Sequence, residues 1–402
     1  MNERPVRLVV ADDLRRRRLT VLFRLLLGVP HFFWWWIWTY AVPFTAIAQW
    51  LITVVRGRPS RSLSSFHAHY IRYTAHLTAY MTIVAERYPG FLGHPGYPVD
   101  VELDLAERQH RLSAAFRLLL ALPALFFAAS IAGWLFIYGS ALLSFVAFLG
   151  WFASLVRGSM PRGLRNLGAY GIRFVAEATA YALLVTRTYP TTDPTLPAGA
   201  GGPAFHPIWL EVRDDRQRSR LTTFFRGLLT VPHFVWLMLW TVLVVFAAVA
   251  NWLVTLVRGT PTDPLHRFLG AWVRYQLHVG AYLWLIANPF PGFTGARGYP
   301  IELQIDDPTR QSRWATGFRF LLAIPAFVIT NALQWLLIAA GIGGWFASLL
   351  LGRMPEGLRN IGAHALRYNA QVNAYAVLLT DRYPFSGPPA LEPEPTADAA
   401  PA

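Results

Sequence analysis

The chain has 402 residues, 54% of them hydrophobic and only 14% charged. A soluble domain carries about 25% charged residues, so this balance argues against an ordinary soluble protein and for a membrane protein. There is no cysteine, which excludes disulfides, thiol catalysis and zinc–thiolate sites. All 36 basic residues are arginine and the net charge is +14. Beside a bilayer such charge points to anionic headgroups, at about 1 kcal/mol per arginine. Its spread along the whole chain, with no basic domain, argues against nucleic acid as a partner.

The elements recur four times in chain order. Each copy opens on a proline (Pro5, Pro98, Pro207, Pro300) followed by a short alternating segment. The clearest are 98–104 and 300–306, where apolar and polar residues alternate, so each segment is expected to be a strand. Acidic residues close the strands (Asp12 and Asp13, Asp104, Asp214 and Asp215, Asp306 and Asp307). They are expected to cap the N-terminus of the next helix, in preference to forming a metal or diphosphate site. The polar opening at 1–13 precedes an apolar stretch too long for a signal-peptide core, so no cleaved signal is expected.

The next helix carries an arginine nineteen residues after the opening proline: Arg24, Arg117, Arg226 and Arg319. Six residues on comes a second proline (Pro30, Pro123, Pro232, Pro325), where a kink or break is expected. A long apolar run follows, ending at Gly57, Gly158, Gly259 and Gly352. At 1.5 Å per residue the charge-free stretch 234–257 covers about 36 Å, enough for a hydrocarbon core of about 30 Å. Unit 2 has eight extra residues in this run, and a break is expected near Gly133, Gly139 and Ser140.

After a basic turn comes an amphipathic helix bearing a second arginine: Arg72, Arg173, Arg274 and Arg367. An arginine in mid-membrane costs about 2.5–3.5 kcal/mol unless it faces protein or water. This helix therefore either lies in the interface or spans with its arginine turned inward. Four short strands are unstable singly and are expected to pair into one small sheet on one membrane face. That favours a spanning second helix, with eight crossings instead of four.

The units pair. Units 1 and 3 share Val-Pro-His-Phe at 29–32 and 231–234, while units 2 and 4 share Trp-Phe-Ala-Ser-Leu at 151–155 and 345–349. The expected organisation is a duplicated two-unit module: 1–90, 91–190, a linker at 191–203, 204–292, 293–385 and a disordered tail at 386–402. The segments Tyr-Pro-Val-Asp-Val-Glu-Leu (97–103), Val-Pro-His-Phe (29–32) and Asn-Ala-Tyr-Ala-Val-Leu-Leu-Thr-Asp-Arg-Tyr-Pro (373–384) resemble the bacterial domain of unknown function 4389 family. Units 2 and 4 depart from the Pro-His pattern, with Ala124 and Ala326. The resemblance implies a bacterial membrane protein and carries no activity.

The expected fold is therefore mainly α: a polytopic, multi-pass protein of the bacterial inner membrane, built from four tandem strand–helix–membrane helix–amphipathic helix units. Arg24, Arg117, Arg226 and Arg319 are candidate contacts to lipid headgroups or anions. Arg72, Arg173, Arg274, Arg367, His31 and His233 are candidate intramembrane polar positions. No nucleophile elbow, phosphate loop, dinucleotide fingerprint or zinc motif is present, so no catalytic residue, metal or cofactor is expected. The functional expectation is a non-enzymatic scaffold or anionic-lipid-interacting protein. The alternative is a transporter or channel for an anionic or lipidic substrate.

Overall fold

A computed structural model describes residues 5–105, 108–132, 142–194 and 206–388. Unit 1 contains β1 (Val6–Val10), α1 (Arg18–Leu22), α2 (Arg24–Arg56) and α3 (Arg61–Met81). The next segment contains β2 (Val99–Leu103), α4 (Arg111–Ala115), α5 (Arg117–Ala132), α6 (Leu142–Arg157) and α7 (Arg162–Ala182). The second half contains β3 (Ile208–Val212), α8 (Arg220–Arg258), α9 (Asp263–Leu283), β4 (Ile301–Ile305), α10 (Arg313–Gly317), α11 (Arg319–Leu351) and α12 (Glu356–Ala376). Among the described residues three helices, α2, α8 and α11, are long and apolar enough to cross a membrane. The break expected near Gly133, Gly139 and Ser140 lies outside the described residues, between α5 and α6.

Two expectations about these helices are corrected. Of the kink or break expected at the second proline, the break is corrected: α2, α5, α8 and α11 run through Pro30, Pro123, Pro232 and Pro325. Neighbouring helices can absorb the single backbone bond a proline removes. The interruption falls seven residues earlier, at Phe23, Phe116 and Phe318, and unit 3 has none. The aspartates do not cap helices either. Asp12 and Asp13 accept the N–H groups of Leu14 and Arg15, at 3.1 and 3.0 Å, in a turn that precedes α1. Asp214 and Asp215 do the same for Arg216 and Gln217.

The strands form two separate two-stranded sheets and not one. β1 pairs antiparallel with β2, with Val6 opposite Leu103, and β3 pairs antiparallel with β4, with Ile208 opposite Ile305. Each sheet joins a strand to the next one along the chain, so no strand among the four is left single. The pairing needs only the two strands of a module on one side.

Each module has three layers. The apolar helices come first, and they run antiparallel, tied at both ends. Arg18 donates to the Val156 carbonyl (3.0 Å), and Trp50, at the far end, to that of Ala114 (3.1 Å). Arg220 reaches Leu350 and Trp252 reaches Thr316 in the second module. The second helices form the middle layer, where α3 packs on α7 and α9 on α12. The sheets form the third layer: β2 lies on α3, β1 on α7, β4 on α9 and β3 on α12. The modules meet where α11 packs against α5 and α6. The expected linker and tail begin as packed segments. Thr192 lies against Gly357, and Ser386 against Gly163.

Candidate functional site: an apolar helix layer and its arginine clamps

The first arginine of each unit was expected at the headgroups, and the structure places it elsewhere. Arg24, Arg117, Arg226 and Arg319 are all buried. The guanidinium groups of Arg24, Arg226 and Arg319 bond carbonyls at the C-terminal end of the second helix of the same unit, and that of Arg117 lies over Tyr181 at the corresponding end. Arg24 Nη1 donates to the carbonyls of Tyr80 (2.7 Å) and Ala85 (3.1 Å), and Nη2 pairs with Glu86 (2.9 Å). Arg226 repeats this with Tyr282 (2.8 Å), Ala287 (2.9 Å) and the side chain of Asn288 (3.0 Å). Arg319 binds Gln311 (2.7 Å) and Asp381 (3.0 Å), and Arg117 binds Gln109.

Each guanidinium also lies over a tyrosine ring. The separations are 4.4 Å at Tyr80, 4.1 Å at Tyr181, 4.4 Å at Tyr282 and 4.1 Å at Tyr375. A helix end leaves up to four carbonyls without intrahelical partners. A planar group with five N–H donors is suited to collecting several of them. The need is acute because the chain reverses on a non-glycine residue at positive φ: Ile83 at 63°, Leu184 at 61°, Leu285 at 63° and Leu378 at 64°. Such a conformation costs about 1–3 kcal/mol and persists only where surrounding contacts impose it.

A residue eight positions before each of these arginines completes the clamp, and the reading of the sequence passed over it. Arg16 donates to Ile83 (3.0 Å) and Val84 (2.9 Å) and pairs with Asp12 (2.8 Å). Arg218 binds Leu285 (2.8 Å) and Asp214 (2.6 Å). Gln109 and Gln311 take the same place, reaching the carbonyls of Leu184 (2.6 Å) and Leu378 (2.7 Å). The fixed offset of eight was present in the sequence. It was hidden because two copies use arginine and two use glutamine.

The second arginines each donate to a backbone carbonyl. Arg72 donates to Val101 (3.1 Å) and lies 3.5 Å from Asp100. Arg274 donates to Gly295 (3.2 Å) and pairs with Glu302 (3.2 Å). Arg173 donates to the Asp193 carbonyl, and Arg367 to that of Gly387 (2.7 Å). Each ties its helix to a strand or to the segment that follows the helix. His76 completes the first cluster, 2.8 Å from Asp100. Burial alone would raise the Asp100 carboxyl. The His76 contact and the N–H groups of Gly96 and Val101 outweigh it and hold the carboxyl below its usual value.

His31 and His233 are buried packing contacts between the apolar and middle layers. Their Nδ1 atoms lie 2.9 and 2.6 Å from the hydroxyls of Tyr73 and Tyr275. Their rings stack on Phe91 and Phe293. Among the described residues no group of three or more His, Cys, Asp or Glu is placed to hold a metal ion. A cavity of about 380 Å³ lies between the ends of β3 and β4 and the segment after α12, lined by Asp306, Asp307, Thr309, Asp381 and Arg382 among others.

The arrangement that remains is the apolar layer itself. Large side chains stand exposed along the whole of α2, α8 and α11, including Leu26, Phe44, Val55, Phe224, Phe246, Val257, Phe320 and Leu350. Exposed arginines stand at the ends of the layer: Arg17, Arg18, Arg56, Arg111, Arg157, Arg220, Arg258, Arg313 and Arg353. An apolar face of this extent with cationic ends is suited to a lipid surface.

No curated protein and no solved structure matches the chain. A family described as a domain of unknown function (DUF4389) matches at residues 18–93, 220–294 and 313–387. The matches fall on units 1, 3 and 4, each running from the start of the first helix to the segment after the second. Together they cover more than half of the chain, which therefore belongs to the DUF4389 family.

Proposed function

We propose that this protein is a non-enzymatic, anionic-lipid-interacting protein of the bacterial inner membrane, built from four copies of one unit. The observation that carries the reading is the exposed apolar layer with arginine at both ends of its helices. The unmatched stretch at 91–190 is read as the fourth copy. Its Arg117 over Tyr181 and its Gln109 on Leu184 support that assignment. The alternative of an anion pathway loses its support, because Arg72, Arg173, Arg274 and Arg367 are committed to backbone carbonyls.

The test is thermal unfolding in detergent micelles doped with phosphatidylglycerol or with phosphatidylcholine. Phosphatidylglycerol is expected to raise Tm over phosphatidylcholine by several degrees. The combined Arg56→Gln, Arg157→Gln and Arg258→Gln protein is expected to lose that difference. Equal Tm values in the two lipids for the unaltered protein would overturn the reading.

A further inference from the structure

From the layering we infer that the protein lies in the plane of the membrane, immersed in one leaflet by its apolar helix layer, with no helix crossing. This rests on the membrane reading above and deepens it. Three independent observations carry it.

The first is length. In α8 the exposed apolar side chains run from Leu221 to Val257, at 70% and 71% exposure, with Leu228 and Phe246 equally open between them. At 100° per residue these four fall on one side of the helix. Thirty-seven residues at 1.5 Å make a stripe of about 55 Å, against a hydrocarbon core of about 30 Å. A crossing helix would need a tilt of about 57° to bury it, beyond the range of roughly 0–40°. Similar stripes run on α2 from Leu26 to Val55 and on α11 from Leu321 to Leu350, each about 45 Å long, which still asks for a tilt above that range. A helix lying in the interface immerses such a stripe whatever its length.

The second is what covers the other side. α3 runs alongside α2 for most of its length, tied by Arg24 to Tyr80, His31 to Tyr73, Thr45 to His67 and Gln49 to Ser64. The sheet covers α3 and α7 from the opposite side, at the level of Arg72. Its outer surface carries Arg7, Glu102 and Asp104, joined by ion pairs of 3.2 and 3.9 Å and open to solvent. If α2 and α3 crossed a bilayer, this charged two-stranded sheet would sit at mid-depth against lipid. A charged surface and unpaired sheet edges are not tolerated there. With α2 parallel to the surface, the same sheet faces water.

The third is charge. Positive-inside topology needs an asymmetry between the two ends of a span, and here both ends are basic. Arg220 and Arg258 bound α8, and Arg17, Arg18 and Arg56 bound α1 and α2. In the plane of one leaflet all of these arginines meet the same headgroup layer. Trp36 and Tyr40 on α2, with Tyr88 on the segment packed beside it, expose aromatic rings of the kind enriched at that depth.

The test uses nitroxide labels on four single-cysteine proteins, Leu221→Cys, Leu228→Cys, Phe246→Cys and Val257→Cys, reconstituted in phosphatidylcholine vesicles with and without phosphatidylglycerol. The native chain has no competing thiol. Oxygen and nickel-chelate accessibilities report depth. The in-plane arrangement gives four similar depths, about 5–10 Å below the headgroup boundary. A profile deepest at Phe246→Cys and shallow at both ends would overturn it. Low oxygen accessibility at all four, with disulfide-linked dimers of the unlabelled Phe246→Cys protein, would also overturn it by placing a second copy on the face. Equal depths in both lipid mixtures, without any preference for phosphatidylglycerol, would sink the anionic-lipid reading and leave the in-plane one standing.

Discussion

The guanidinium carbon of Arg24 lies 4.4 Å above the ring of Tyr80, while a nitrogen of the same group holds the Tyr80 carbonyl at 2.7 Å. Arg226 and Tyr282 repeat the pair with the same separation and a 2.8 Å bond. One side chain thus fastens the start of an apolar helix to the end of the helix that runs back along it. Arg24→Met is expected to lower the unfolding free energy by about 3 kcal/mol, because Glu86 and the carbonyls of Tyr80 and Ala85 lose a buried donor. Arg24→Lys should recover little, since an ammonium cannot address three acceptors and a ring together. Chemical unfolding in detergent checks both, and wild-type stability in Arg24→Lys would show that charge alone suffices.

The glycines after α3 separate backbone need from open space. Gly93 has φ of 63°, and a Cβ there would sit 2.3 Å from the His69 carbonyl oxygen. Gly295 repeats this against Ala271 at φ of 64°. Gly93→Ala is expected to destabilise by about 2–3 kcal/mol through strain and overlap. Gly90, three residues earlier, has nothing within 4 Å, so Gly90→Ala should stay within about 0.5 kcal/mol. Equal Tm losses in the two variants would contradict the structure of this segment.

Acid should loosen the middle layer. Burial pushes His67 down to about 4, and burial together with the nearby Arg274 pushes His278 down to about 4. An unfolded histidine titrates near 6.5. Between those values the unfolded chain binds more protons than the folded one, so stability is full above pH 6.5 and falls as pH drops toward 4. Unfolding free energy measured from pH 7.5 to 4.5 should decline over that window, and less steeply in the His278→Gln protein. An identical slope in that protein would rule His278 out as a contributor.

The second arginines should behave as structural ties. Arg72 meets the carbonyl of Val101 on β2, and Arg274 reaches toward Leu303 on β4. Arg72→Gln is therefore expected to destabilise by about 1–3 kcal/mol, the penalty for an unsatisfied buried acceptor. Vesicles containing the unaltered protein should pass no anion at a rate sensitive to this change. Chloride or phosphate flux lost in Arg72→Gln, with stability intact, would restore the transport reading.

Much of the fold was legible because it rests on periodic apolar patterning and turn residues. The alternation at 98–104 gave β2 within one residue, and Gly57, Gly259 and Gly352 end their helices in the left-handed conformation expected of such glycines. Long-range pairing was not legible. Nothing local says that β1 seeks β2 and leaves β3 and β4 to each other, since all four strands have the same pattern. The role of the arginines was hidden for a related reason. Arg24 and Tyr80 are 56 residues apart, and an arginine beside an apolar run reads as a lipid anchor until the helix that returns to it is in place. The span length was also read from its charge-free part, 234–257, whereas the exposed stripe begins at Leu221 and passes Arg226 and His233 on their buried side.

The most direct test of the in-plane arrangement is the sidedness of the two ends of α8. Ser219→Cys and Asp263→Cys place single thiols just before this helix and at the start of α9, about 60 Å apart along the chain direction. A membrane-impermeant maleimide is added to sealed vesicles of uniform orientation. The account predicts that both positions label from the same side and neither from the other. Labelling of one only from outside and of the other only from inside would show that α8 crosses the membrane and would contradict it.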